Sequence, residues 1–313
     1  MNKRIVFCML LLIAAGACSS PRSVAGLLPY RLIPWSGYLC PGITSHLDSK
    51  EEKKYRSTAE LKAEEEKERQ RGIYFLKLVR GNPARKEIAL TFDDGPHPQY
   101  TPRLLDILRR EKVRATFFVV GKMVDKYPQL VQQEIADGHE VANHTYHHLR
   151  LPTLSPEGIA RELRSGSLAI ARAIGSTTNL FRPPGGEYDE RVIAVVKRLG
   201  YAMVLWTDDP GDFAKPGAKV IEQRTLGRVR NGAIILLHDG SQQTLEVLPN
   251  MLRRLKAQGY SFVTCSEMAQ QRGIITTGGP RVFPPNSWAG SLRRTLHPHL
   301  AKEREASRIP IRN

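Results

Sequence analysis

From Lys86 onward, short apolar runs rich in β-branched and aromatic residues alternate with longer amphipathic stretches. That alternation admits few folds. A strand that hands over to a helix returns to its sheet by a crossover, so successive strands run parallel and both faces of the sheet are covered. Strands are predicted at Glu87 to Phe92, Ala115 to Val120, His139 to Ala142, Asn179 to Phe181, Tyr201 to Trp206, Ala233 to Leu237 and Tyr260 to Thr264. Helices are predicted at Thr101 to Lys112, Lys122 to Asp137, Ser155 to Ile174, Asp189 to Leu199, Ala218 to Arg230 and Thr244 to Gln258. Gly138, Gly175, Gly200 and Gly259 stand at the predicted helix ends, where a left-handed residue terminates a helix. The α/β pattern of seven strands predicts a parallel (β/α) barrel, with an open doubly wound sheet as the alternative.

The ends of the 313-residue chain read differently. Lys3 and Arg4, the apolar run Ile5 to Ala15 and the small residues Gly16 and Ala17 form a secretory signal over residues 1–17. The sequence Ala15-Gly16-Ala17-Cys18-Ser19-Ser20 resembles a bacterial lipobox, in which Cys18 is lipidated and anchors the mature chain to a membrane. Ordinary cleavage after Ala17, giving a periplasmic or secreted protein, is the alternative. Residues 18–48, rich in Pro, Gly and Ser, read as a tether. Residues 49–85 read as a charged helical or stalk segment, 86–272 as the α/β domain, and 273–313 as a basic tail, either an arm or a disordered extension. Cys8 leaves with the signal, so Cys40 and Cys265 are the only pair available for a disulfide in an oxidising compartment. A formal net charge of +16 favours acidic surfaces such as phospholipid headgroups or anionic wall polymers. Nucleic acid is not expected, because no recognition motif of that kind is present and the chain is exported. Nothing in the sequence fixes an oligomeric state.

Ionisable residues gather directly after the predicted strands: Asp93 and Asp94 after the first, His144 after the third, Arg182 after the fourth, Asp209 and Asp212 after the fifth, His238 after the sixth. In a βα barrel those strand ends open on one face, where active sites are built. In Asn143-His144-Thr145-Tyr146-His147-His148, His144 and His148 are four apart, as on one side of a helical turn. With Asp94 from a neighbouring strand end they make an N2O donor set for a divalent metal, zinc first and cobalt or another divalent ion second. Alternation along the strand points Asp93 and Asp94 in different directions, so that one can bind metal while the other acts as a base. An Asx turn before Gly95 and Pro96 is the structural alternative for that pair.

Five motifs in order carry a resemblance: Thr91-Phe92-Asp93-Asp94-Gly95-Pro96, His144-Thr145-Tyr146-His147-His148, Arg182-Pro183-Pro184-Gly185-Gly186, Asp209-Pro210-Gly211-Asp212-Phe213 and Leu236-Leu237-His238. The region from about Lys86 to Met268 resembles the polysaccharide deacetylase family, the NodB-homology domain of carbohydrate esterase family 4. That family includes chitin deacetylases, peptidoglycan N-acetylglucosamine deacetylases and acetylxylan esterases. The resemblance implies a distorted barrel with Asp93 as general base, Asp94, His144 and His148 as metal ligands, and Arg182 as the partner of Asp93. It implies His238 as general acid, oriented by Asp212, and the backbone N–H of Gly185 as donor to the oxyanion. Leu236 matches the position that lines the acetyl-methyl pocket. Most members carry Tyr where Gly185 stands and Trp where Phe213 stands, so the resemblance implies retuned rather than abolished activity. Tyr188 and Trp206 are candidates for stacking on sugar rings, with core packing as the alternative for Trp206. The expected reaction is hydrolysis of the N-acetyl group of N-acetylglucosamine-type glycans, peptidoglycan or chitin-like. O-deacetylation of a polysaccharide such as acetylated xylan, or noncatalytic glycan binding at the envelope, are the competing expectations.

Overall fold

A computed structural model describes residues 55–275. The signal peptide, the tether, Cys18, Cys40 and the tail beyond residue 275 lie outside the described residues. Eight strands form the sheet: β1 (Lys77–Leu78), β2 (Glu87–Asp93), β3 (Thr116–Val119), β4 (Glu140–Asn143), β5 (Leu180–Phe181), β6 (Ala202–Val204), β7 (Ala233–His238) and β8 (Ser261–Val263). All pairings are parallel, in the order β1-β6-β5-β4-β3-β2-β7, with β8 beside β2. The ends of that path come together. Asp208, just past β6, bridges Ile235 of β7, and Gly81, just past β1, donates its N–H to Gly232 O at 2.9 Å. The result is the expected barrel in distorted form. Two short strands wedge into it, β1 between β6 and β7, and β8 along the first half of β2 where β3 pairs only with the second half.

Period-2 alternation sorts the strand residues into two faces. Ile88, Leu90, Phe92, Phe117, Val119, Val141, Ile235 and Leu237 belong to a core cluster with Leu104 and Leu108 of helix α2 (Thr101–Arg110) and Leu248 and Leu252 of helix α8 (Gln242–Ala257). The intervening residues face inward, where Ala89, Phe118, Ala142, Ile234 and Leu236 fall in the second cluster. Asp93, His144 and His238 continue that inward phase at the C-terminal ends of their strands. Asp93 pairs in register with both Phe118 and His238.

Between the strands lie α3 (Gly121–Lys126), α4 (Pro128–Ala136), α5 (Pro156–Ile174), α6 (Glu190–Leu199) and α7 (Ala218–Arg228). The 19-residue α5 follows from its sequence. Ser155 caps it by accepting from Gly158 N, Ile159, Leu163 and Ile170 line its buried face, and Gly175 at φ 75° ends it. One helix had been expected over Lys122 to Asp137. Pro128 splits it, because proline supplies no N–H to a helix interior and Tyr127 before it is non-helical at φ −134°.

Two departures concern the segment ahead of β2. Helix α1 (Thr58–Gln70) sits within the stretch read as a charged helical or stalk segment, opened by a Ser57 and Glu60 capping box. It does not stand free: Leu61 is buried in the core, and Glu68 forms a buried ion pair with Lys77 of β1. The two-residue β1 carries too little alternation to be legible. At the opposite end of the barrel, helix α9 (Cys265–Gln271) closes the floor, with Cys265 N donating to Thr116 Oγ1 at 2.9 Å. Cys265 is buried there, which pushes its thiol up to about 12.

Candidate active site

The first cluster forms where β2 gives way to a turn. Strict alternation would aim Asp93 and Asp94 apart, but Asp94 takes a left-handed conformation at φ 73° and turns its carboxylate back over the barrel mouth. Both carboxylates then face one imidazole: His144 Nε2 lies 3.7 Å from Asp93 Oδ2 and 3.6 Å from Asp94 Oδ1. His148 Nε2 stands 3.1 Å from the same Asp94 oxygen.

The four-residue spacing of the two histidines works without the expected helical turn. After β4 the chain is a loop in which Thr145 at φ 67° and His148 at φ 60° are both left-handed, bringing the imidazole centroids to 4.9 Å. Buried anchors hold this loop. Thr145 N donates to Asn143 Oδ1, while Asn143 Nδ2 donates to Leu163 O on α5 at 2.8 Å. Glu162 accepts from the backbone N–H of Tyr146 and of His147, and pairs at 2.7 Å with His147 Nδ1. The third histidine of the motif is therefore turned away from the site. Gly166 allows α5 this close approach, since a Cβ there would stand 2.3 Å from Asn143 Oδ1.

The donor set fits a divalent cation on its own geometry. One ligand atom from each of Asp94, His144 and His148 lies within 4.8 Å of the others. Donors held at ~2.0–2.1 Å in a tetrahedral arrangement lie about 3.3 Å apart, close to the 3.1 and 3.6 Å measured from Asp94 Oδ1. His144 Nδ1 sits 2.9 Å from Arg182 O, a contact that fixes the proton on Nδ1 and leaves Nε2 as a lone-pair donor. Among the described residues, the Nε2 atoms of both histidines are buried without a hydrogen-bond partner. Burial pulls His144 down to about 4, so the ring is neutral, as metal ligation requires.

Arg182, directly after β5, runs through the barrel interior and is fully buried. Its Nη1 donates to Asp93 Oδ1 at 2.6 Å and to Thr91 Oγ1 at 2.8 Å, and its guanidinium lies 4.0 Å from the Phe118 ring centroid. A buried cation so satisfied fixes the orientation of Asp93 through a charge-assisted hydrogen bond.

Across the mouth, His238 ends β7. Its Nδ1 is 2.6 Å from Asp212 Oδ1, and its backbone N–H donates to Asp212 Oδ2 at 2.8 Å. Thr244 Oγ1 also donates to Asp212 Oδ2, so that carboxylate is fully engaged and held rigid. Burial opposes charge on the His238 ring, but the charge and hydrogen bond of Asp212, with Asp94 and Asp93 adding to them, override it and raise the ring to about 9. At neutral pH His238 is a protonated acid whose Nε2 is buried without a hydrogen-bond partner among the described residues.

Asp93, Asp94, His144, His148, Arg182, Asp212 and His238 are thus brought together. Leu236 lies buried two residues before His238 on the same inward face, and the Phe213 ring stands edge-on to His238 at 5.7 Å. Gly185 is left-handed at φ 63° in the turn Pro184–Gly186. Asp209 has a structural role, accepting from Gly211 N at 2.8 Å to shape the loop that presents Asp212. The sugar-stacking reading of Trp206 and Tyr188 is corrected: they are 1% and 3% exposed, Trp206 packed on Arg182 and Tyr188 covered by Phe75 and Arg56. One residue at the site escaped the sequence reading. Tyr55 places its ring 4.9 Å from that of His238, and only the fold connects a residue this far upstream with β7.

A parallel βα barrel with a partly buried Asp-His-His set that could hold a cation, and an opposed Asp-His pair, at the strand ends is the layout of a hydrolase. The polysaccharide deacetylase family model matches residues 80–204. A peptidoglycan-N-acetylglucosamine deacetylase of Bacillus cereus is 42% identical over 192 residues, covering 60% of this chain and 90% of that one. Among solved structures, a peptidoglycan N-acetylglucosamine deacetylase in complex with an N-oxidanyl-benzamide superimposes with a TM-score of 0.61 at 31% identity, over 62% of this chain and 92% of that one. A family 4 carbohydrate esterase pseudoenzyme from Bacillus anthracis gives 0.60 at 30% identity, over 64% and 71%. The chain belongs to the polysaccharide deacetylase family.

Proposed function

We propose that the protein is a metal-dependent deacetylase that removes the N-acetyl group from N-acetylglucosamine-type glycans, peptidoglycan or chitin-like, giving a free amine and acetate. The observation that carries this reading is the opposition of an Arg-paired carboxylate and an Asp-paired imidazole across one donor set. Asp93 is held beside Arg182 at 2.6 Å, while His238 is held protonated by Asp212.

Asp94, His144 and His148 would hold the cation, zinc in first place, which when bound polarises the acetyl carbonyl and acidifies water. Asp93 Oδ2 takes a proton from the attacking water as its oxygen bonds to the carbonyl carbon. Arg182 keeps that carboxylate aimed. The backbone N–H of Gly185 and the apolar surface of Leu236 receive the carbonyl oxygen and the acetyl methyl. As the carbon–nitrogen bond breaks, His238 Nε2 delivers its proton to the departing nitrogen, and Asp212 stabilises the ring in both states. Phe213 walls this side of the site.

The N-terminal sequence supports export, with Cys18 as lipid anchor at the cell envelope. Substituting Cys18→Ser would then move the protein out of the membrane fraction. The activity is tested by acetate release from N-acetylglucosamine polymers and from acetylated xylan, before and after chelation and reloading with zinc or cobalt. Release from xylan alone would move the assignment to an O-acetyl esterase. No release from either by metal-loaded protein would leave a glycan-binding relative like the pseudoenzyme.

A further inference from the structure

Tyr55 reaches the site from the segment ahead of α1, and that segment is tied down. Arg56 N donates to Gly185 O at 2.9 Å, and the Arg56 guanidinium lies 5.3 Å from the Tyr188 ring centroid. The backbone is thereby pinned across the turn that carries Gly185, and the Tyr55 ring is set against the two rings of the opposite wall. Its centroid is 4.2 Å from that of Phe213, tilted at 37°, and 4.9 Å from that of His238, edge-on at 72°.

The hydroxyl is the informative atom. It is buried and has no hydrogen-bond partner among the described residues. Burial, and then the negative charges of Asp94, Asp93, Asp212 and Asp209, hold the phenol well above its usual range. It is therefore an O–H donor throughout the working pH range, facing the catalytic carboxylates while bonded to none of them. A tyrosine kept merely to plug the mouth would satisfy its hydroxyl on one of those oxygens, because an orphaned buried donor is costly. An open donor beside the acid His238, backed by an aromatic ring, suits a polar group arriving with the substrate.

We infer that Tyr55 is a substrate-binding residue, whose hydroxyl donates to an oxygen of the acetamido sugar seated beside His238 and whose ring, packed against Phe213, forms the surface that sugar packs against. The inference rests on the deacetylase reading for the identity of the ligand. It makes the segment ahead of α1 a working part of the site.

The test uses the full-length, metal-loaded protein and its Tyr55→Phe and Tyr55→Ala variants. Steady-state acetate release from N-acetylglucosamine oligomers is measured alongside calorimetric affinity for the tetramer. Tyr55→Phe keeps the ring, so its Tm and the basic limb set by His238 stay at wild-type values, while kcat/KM and tetramer affinity each fall about tenfold. Tyr55→Ala falls about a hundredfold in kcat/KM. Wild-type kinetics and affinity in Tyr55→Phe, or faster turnover in Tyr55→Ala, would overturn the inference, the second by making the ring an obstruction. If the wild type released no acetate but bound the tetramer about ten times more tightly than Tyr55→Phe, the inference would stand and the deacetylase reading would fall. A wild type that neither bound the tetramer nor turned it over would overturn both.

Discussion

Replacing Asp212 by Asn keeps the shape of the carboxylate and removes its charge. Asp212 is the dominant influence raising His238 to about 9, and burial alone would take the ring below the ordinary 6.5. A group with pKa 9 is ~91% protonated at pH 8, and one at 6.5 about 3%, whereas at pH 6 the two are nearly complete and about three-quarters. A general acid must enter the reaction protonated, so activity falls as pH rises through its pKa. From protonation alone, returning the His238 ring to 6.5 in Asp212→Asn therefore costs about 30-fold in kcat/KM at pH 8 and less than about twofold at pH 6. A bound cation cancels part of the contribution of Asp94, so the wild-type limb in metal-loaded enzyme lies somewhat below 9. The separation between the two limbs carries the test. The assay is acetate release from an N-acetylglucosamine oligomer, with kcat/KM measured from pH 5.5 to 9.5 on both proteins with metal content matched. A deficit in Asp212→Asn that is the same at every pH, or an unmoved basic limb, would refute the assignment of His238 as an acid tuned by Asp212.

Other consequences follow from the same geometry. Because the His238 pKa is raised on folding, the stability it contributes is complete below pH 6.5 and lost as pH climbs through about 9. The gap in Tm between wild type and Asp212→Asn, both metal-free, should accordingly narrow across that window. Asp94→Ala and His148→Ala should copurify with less than about a tenth of the wild-type metal, read by elemental analysis, and should lose acetate release in proportion. Arg182→Met leaves the Asp93 charge buried and unpaired and should cost about 3–5 kcal/mol in urea unfolding, with partial recovery in the Arg182→Met, Asp93→Asn double variant. Gly166→Ala drives a methyl into Asn143 Oδ1 behind the histidine loop. Metal affinity measured by competition with a chelator should drop about 10- to 100-fold, although residue 166 touches no ligand.

The sequence carried the seven strands β2 to β8, most of them through alternating or β-branched runs that register locally. It missed β1, whose two residues are a strand only because Met203 and Val204 stand beside them. It gave one helix where Pro128 makes two. It read α1 as a solvated helix or stalk, because the polar surface of that helix outweighs the buried Leu61. Legibility of the site followed the same division. Residues just past strands could be named from position, whereas the left-handed turns at Asp94, Thr145 and His148 could not, because φ above zero in a non-glycine residue is imposed by its surroundings.

What the sequence determined by itself was phase and order: period-2 alternation brings Asp93, His144 and His238 to the inner face at the ends of parallel strands, because each side chain's face is a local property of the backbone. Which of those groups touch was decided by tertiary structure. Barrel closure brings β7 against β2, so that Asp93 and His238 pair across the whole intervening domain. Arg182 becomes a buried partner instead of a surface charge, His147 turns to Glu162 and leaves its neighbours to converge, and Tyr55 arrives from beyond the repeating pattern. Such contacts join residues far apart in the chain and leave no periodic trace in it, so only the folded molecule displays them.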